Sequence, residues 1–129
     1  MPPRAVIIDT NFFLVPYQFK IDIFTELEQL IEVNHYFVIT SKILKELEKI
    51  AGHVGKKGAA AKLALKVIEA NSDKIEIIKS NKPVDLWIAE YAEKTGAIVC
   101  TNDIKLKKRL KDNGIKVISL RGKTRLGFV

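Results

Sequence analysis

The stretch Ala5-Val6-Ile7-Ile8-Asp9-Thr10-Asn11 decides the fold. Four apolar residues in a row, three of them β-branched, read as a strand buried on both faces, the mark of a parallel sheet. The run then stops abruptly at three polar residues. Tyr36-Phe37-Val38-Ile39, Ala97-Ile98-Val99-Cys100 and residues 115–120 repeat the pattern, and Ile75-Glu76-Ile77-Ile78 is a shorter copy. Between these runs the apolar residues fall at helical spacing. Ile23, Phe24, Leu27, Leu30 and Ile31 mark one helix. Ile43, Leu44, Leu47, Ile50 and Ala51 follow the cap offered by Thr40-Ser41. Further helices are expected over 59–70, from Pro83 to Gly96, and over the basic stretch 104–112. Alternating strands and helices predict an α/β fold: a three-layer α/β/α sandwich with a central parallel sheet of about five strands.

The chain has 129 residues, enough for one domain over 1–129. No apolar run approaches the length of a membrane span, and the start lacks a signal-peptide core. The cytoplasm is the default compartment, with no membrane partner. A single cysteine, Cys100, excludes an internal disulfide framework and a Cys-rich zinc site, and is expected to be a small buried hydrophobe. The two histidines, His35 and His53, are too far apart in sequence for a one-turn metal motif. Residues 52–58 read as a flexible basic loop, whose Lys56 and Lys57 are either phosphate contacts or a solvated tip. Phe12, Phe13, Tyr17 and Phe19 form an aromatic loop expected to pack into the core, with base stacking as the alternative. Trp87 falls off the core-facing arc of its helix, as a covered surface or an oligomer contact.

The net charge of +7 is unevenly spread. Residues 1–50 carry −2, and 51–129 carry +9; 105–125 alone carry +8. Lys105, Lys107, Lys108, Arg109, Arg121, Lys123 and Arg125 are the candidate contacts for an anionic partner such as RNA. The alternative for the same run is a solvated helix face followed by a soluble tail.

Parallel sheets place their sites beyond the carboxyl ends of the strands, where strand order reverses. Asp9 leaves the first strand there, and Asp103 leaves the fourth after Thr101-Asn102. Either aspartate alone also suits a strand-exit turn. Asp85 shares the apolar arc of its helix with Ile88, Ala89 and Ala92, so a buried carboxylate is expected, needing a partner, a metal or a proton. A first-turn role on the helix dipole is the simpler reading. Glu46 and Glu48 flank the apolar arc of their helix symmetrically; Glu46 is preferred only because it lies near the edge that carries Asp9. Four carboxylates at one edge repel one another unless a divalent cation sits among them. Without His or Cys the donor set selects Mg2+ or Mn2+. That chemistry suits hydrolysis of a phosphodiester.

Asp9-Thr10-Asn11, Glu46 within Ser41-Lys42-Ile43-Leu44-Lys45-Glu46-Leu47, Val84-Asp85 and Thr101-Asn102-Asp103 together resemble, in order and interval, the acidic motifs of PIN-domain nucleases. The likeness extends to the rRNA-processing branch and to archaeal single-domain members of the VapC toxin type. The resemblance implies metal-dependent endoribonuclease activity in RNA processing or as a toxin. Asp9 and Asp103 would be the main ligands of Mg2+ or Mn2+. Glu46 and Asp85 would act through water or place a second ion. Thr101 and Asn102 would hold metal-bound water or orient the carboxylates, and Asn11 would support Asp9. It also implies a homodimer, and an antitoxin protein or a pre-ribosomal particle as partner. Lys105 and Leu86 stand where many members carry further acids, which leaves fewer ligands for a second ion.

Two other classes compete. A catalytically weak RNA-binding or ribosome-assembly module would keep the fold and the basic surface. A receiver-type signalling domain would need a phospho-acceptor Asp after the third strand, where Lys79-Ser80-Asn81 stands. No G-x-G-x-x-G or P-loop occurs.

Overall fold

The structure, a computed structural model, describes residues 2–129. Strand β1 spans Arg4–Ile8, β2 His35–Thr40, β3 Ile75–Ile78, β4 Ile98–Cys100, β5 Val117–Arg121 and β6 Arg125–Phe128. They form one sheet in the order β3-β2-β1-β4-β5-β6. The first five are parallel, as their apolar runs predict. The sixth adds to the expected five: β6 folds back antiparallel on β5, so Arg121 and Arg125 pair in a hairpin where the alternative reading places a soluble tail. Gly122, at a φ of 61°, takes the left-handed turn conformation that a β-branched residue would resist.

Six helices flank the sheet: α1 (Val15–Phe19), α2 (Ile23–Leu30), α3 (Ser41–Ala51), α4 (Lys56–Ala70), α5 (Val84–Thr95) and α6 (Ile104–Asp112). They surround a central strand, β1, whose Val6, Ile7 and Ile8 are fully buried. Neighbouring residues of β2 show the two faces, since side chains alternate along a strand. Phe37 meets Phe24 of α2 edge-on, with ring centroids 5.0 Å apart. Tyr36 faces the other way, close to Tyr91 of α5, whose phenol is pushed up by burial and then by Tyr36. The helices therefore cover both faces, and the sandwich is as expected. No helix among the described residues is long and apolar enough to cross a membrane.

Three local readings change. The aromatic segment after Asp9 is ordered: a 3-10 helix over Thr10–Leu14 leads into α1, and Phe12 and Phe13 are fully buried. Tyr17 is exposed instead. The basic loop ends sooner than expected, because α4 already begins at Lys56. Gly58 is buried there, and a Cβ on it would stand 1.9 Å from the carbonyl oxygen of His53. The glycine lets this helix start press against the preceding backbone. Trp87 is half-buried and stacks on Tyr91, at 4.6 Å and 16°. Cys100 is fully buried as expected, which pushes its thiol well above the usual range.

Candidate active site

The order β1-β4 is the switch point of the sheet, because the chain leaves β1 toward β2 on one side and reaches β4 on the other. Ile8 lies opposite Cys100 in the β1–β4 ladder, and the Asp9 N–H donates to the Cys100 carbonyl at 2.9 Å. Asp9 is thereby fixed at the carboxyl edge, and only 3% of it is exposed. Its Oδ1 accepts from the Thr10 N–H at 2.8 Å. Its Oδ2 accepts from the Thr101 hydroxyl at 2.7 Å and from Asn11 Nδ2 at 3.2 Å.

The same side chains stitch the two strand ends together. Thr101 Oγ1 also accepts from the Asp103 N–H at 3.1 Å, and Asn11 Oδ1 accepts from the Asn102 N–H at 3.1 Å. Ser119 Oγ of β5 donates to the Thr101 carbonyl. Asn102 Oδ1 accepts from the Leu120 N–H at 2.8 Å. Asn11 and Thr101 thus both hydrogen-bond the Asp9 carboxylate. The Oδ1 of Asn102 is spent on the backbone of β5, so its side chain braces the sheet edge rather than a carboxylate.

Burial pushes the Asp9 carboxyl from 3.8 up to about 6. Its hydrogen bonds from Thr101 and Thr10 oppose that shift, and the negative charges of Asp85 and Asp103 add to it. The Asp85 carboxyl is raised as well, by the partial loss of solvent around it and then by Asp103 and Glu46. Asp9 at the β1 exit therefore feels the charges of Asp85 and Asp103, and Asp85 of α5 those of Asp103 and of Glu46 on α3. Asp9, Glu46 and Asp85, with Lys42, Asn81, Pro83 and Val84, line a cleft of about 360 Å3. Asp103 stands beside it rather than in its wall. It serves as the N-cap of α6, its Oδ1 accepting from the Leu106 N–H at 3.0 Å.

The burial expected for Asp85 is corrected. The face is right, since Ile88, Ala89 and Ala92 are fully buried. Asp85 itself is exposed, although it directly follows the buried Val84 at the start of α5. Glu46 and Glu48, equivalent by periodicity, differ in their contacts: Thr10 Oγ1 donates to Glu46 Oε1 at 2.6 Å. Thr10, Lys42 and Asn81 were not picked out by the sequence reading. Lys42 had a signal, since it stands one helical turn before Glu46 and so shares its face.

The donor set around the cleft is all carboxylate oxygen, which fits a hard cation such as Mg2+ or Mn2+. The side chains are spread, however: among the described residues no three acids, histidines or cysteines are grouped closely enough to hold an ion by themselves. Mutual repulsion and the separate hydrogen bonds of Asp9, Glu46 and Asp103 account for that opening.

The expected basic contacts divide. Lys105 is exposed on α6 and Lys107 half-buried. Lys108 pairs with Asp112 at 3.4 Å, and Arg109 with Glu93 of α5 at 3.7 Å. Arg121 lies along Gly127 and donates to the Phe128 carbonyl at 3.1 Å. Lys123 and Arg125 are exposed at the hairpin. Because β5 is parallel to β4, this hairpin turns at the same sheet edge as Asp103.

Comparison with known proteins agrees with this layout. A family model described as a PIN like domain matches residues 6–123. Ribonuclease VapC9 of Archaeoglobus fulgidus is 35% identical over 115 residues, covering 88% of this chain and 81% of its own. The rRNA-processing protein fcf1 of Schizosaccharomyces pombe is 31% identical over 124 residues, which cover 92% of this chain and 60% of that longer protein. The solved structure of the PIN domain endonuclease Utp24 matches with a TM-score of 0.79 at 27% identity, over 100% of this chain and 95% of that one. Sequence and fold thus point the same way over nearly the whole length, and the chain belongs to the PIN-domain nuclease family.

Proposed function

We propose that this nuclease is a Mg2+- or Mn2+-dependent endoribonuclease that hydrolyses RNA phosphodiester bonds at the Asp9–Glu46–Asp85–Asp103 edge. One observation carries the reading: Asp9 is buried, yet the charges of Asp85 and Asp103 bear on it. Such crowding costs stability in the protein alone and is relieved by a cation. Asp9 and Asp103 are the proposed main ligands, with Glu46 and Asp85 acting through water or at a second ion. The bound ion would supply an activated water and charge neutralisation on the phosphate. The chain's own groups do the rest. Thr101 fixes the Oδ2 atom of Asp9 while holding the Asp103 backbone. Thr10 orients Glu46 across the cleft. Lys42, in the cleft wall, offers a positive charge to an incoming phosphate. Lys105, Lys107, Lys123 and Arg125 offer a basic surface at or near that edge for the polyanion.

The relatives named a ribonuclease and an rRNA-processing protein favour RNA as the substrate. They leave two settings for it: a toxin held by an antitoxin protein, or a factor acting on a pre-ribosomal particle, with a homodimer as the expected assembly. The test incubates the protein with single-stranded and structured RNA in Mg2+, in Mn2+ and in chelator. Cleavage is expected with metal only, and Asp9→Asn or Asp103→Asn should remove it. Cleavage that persists in both variants overturns the assignment. Tight, salt-sensitive binding without cleavage would instead mark a catalytically weak RNA-binding module.

A further inference from the structure

A second cleft, of about 630 Å3, opens between α1 and the start of α4. Leu14, Tyr17, Gln18, Lys20, Lys56 and Lys57 line it. We propose that it binds single-stranded RNA next to the scissile bond, stacking a base on Tyr17 and holding backbone phosphates with Lys20, Lys56 and Lys57. This deepens the ribonuclease reading and rests on it for the link to cleavage.

Its composition is costly for a protein on its own. Tyr17 is 40% exposed although Phe12 and Phe13, in the same aromatic segment, are fully buried. Lys56 and Lys57 occupy the first turn of α4, where the helix dipole disfavours cations. Lys20 adopts a left-handed conformation at the end of α1, with φ 55° and ψ 45°, a position that glycine fills without strain. None of the three lysines has a carboxylate within ion-pair distance among the described residues. Lys108 and Arg109 on α6, by contrast, are already paired. An exposed aromatic ring among uncommitted cations is the makeup of a single-strand platform: the ring accepts any base, and the cations follow the backbone.

The position fits a continuous path. The 3-10 helix Thr10–Leu14 begins at Asp9, holds Glu46 through Thr10, and ends at Leu14 in the cleft wall. At roughly 2 Å per residue its five residues span about 10 Å. That is about three stacked nucleotides at roughly 3.4 Å each. A strand seated on Tyr17 thus reaches the carboxylates within a few nucleotides.

The test measures binding of a fluorescein-labelled single-stranded RNA dodecamer in chelator, over a series of salt concentrations. Variants are Tyr17→Ala, Tyr17→Phe and the double substitution Lys56→Gln with Lys57→Gln. The control replaces Lys62 and Lys66, exposed lysines of α4 outside the cleft, by Gln. The cleft double variant should lower the slope of log affinity against log salt by about 1.4, at about 0.7 per lost phosphate contact. The control, with the same charge change, should leave the slope close to wild type. Tyr17→Ala should weaken binding about fivefold or more, and Tyr17→Phe should preserve it. Equal slopes for cleft and control variants, or an unaltered affinity in Tyr17→Ala, overturn the proposal. Because binding is read without cleavage, it stays separate from the nuclease reading. An inactive wild type that still binds through the cleft defeats only the latter, and an active enzyme indifferent to these substitutions defeats only the former.

Discussion

Replacing Asp9 by Asn should make the metal-free protein respond differently to pH. In the native protein the Asp9 carboxyl is raised from 3.8 to about 6, by burial first and by its acidic neighbours after the opposing hydrogen bonds. At about 1.36 kcal/mol per unit, keeping it ionised costs the folded state about 3 kcal/mol near neutrality. A carboxyl whose folded value lies above its unfolded value keeps its proton longer in the folded state. Stability therefore falls as pH rises from about 4 to about 6 and levels off above that. Asn removes the charge and with it this dependence. It also leaves the Asn11 amide, now 3.2 Å from Oδ2, facing another amide, a loss of about 1 kcal/mol that does not vary with pH. The informative quantity is hence the change with pH, not either value alone. Between about pH 4.5 and about pH 7.5 the stability of Asp9→Asn relative to wild type should improve by about 2 kcal/mol. Urea denaturation in chelator at constant ionic strength measures it. A relative stability that stays flat across this window, or moves the other way, would refute the claim that Asp9 is strained by burial and like charge.

Other consequences are simpler to check. Added Mn2+ or Mg2+ should raise the melting temperature of the wild type more at neutral pH than near pH 5, and should do so little in Asp9→Asn, as read by a thermal shift assay. Thr101→Val removes both the donor to Asp9 and the acceptor of the Asp103 N–H, so a loss of about 1–3 kcal/mol is expected in urea, with Thr101→Ser largely restoring it. Gly58→Ala should cost about 1–3 kcal/mol or more, because the new methyl meets the His53 backbone. Gly127→Ala should cost less, since its methyl meets only the flexible Arg121 side chain at 2.6 Å; comparing the two melting curves tests the difference.

The parts of the fold that could be read from the sequence are those where one physical signal dominates. Five apolar runs became five parallel strands, because burial on both faces leaves no room for polar alternation. Asp9 and Asp103 could be placed at strand ends without knowing any contact. The strand β6 could not: Arg-Leu-Gly-Phe has a glycine and a charge, and its pairing depends on the Gly122 turn. The start of α4 was hidden in the same way. Gly58 weakens a helix by propensity, yet here it is required by the close backbone of His53. At the candidate site, helical periodicity gave the face of Asp85 but not its exposure, since period alone does not say which neighbours cover a first-turn residue. Glu46 could not be told from Glu48 until its bond from Thr10, thirty-six residues earlier in the chain, was visible. Such long-range choices leave no local trace.

The backward course of β6 also decides which way the protein can be held. A parallel β1 starts at the edge opposite the carboxylates, and an antiparallel β6 finishes there. Arg4 and Phe128 share a small cavity with Ile98 at that edge. A dye, a bead or a surface tether attached near residue 2 or residue 129 would therefore sit at the edge away from the carboxylates. Held through residue 2 or residue 129, the protein keeps its carboxylate edge turned to the solution.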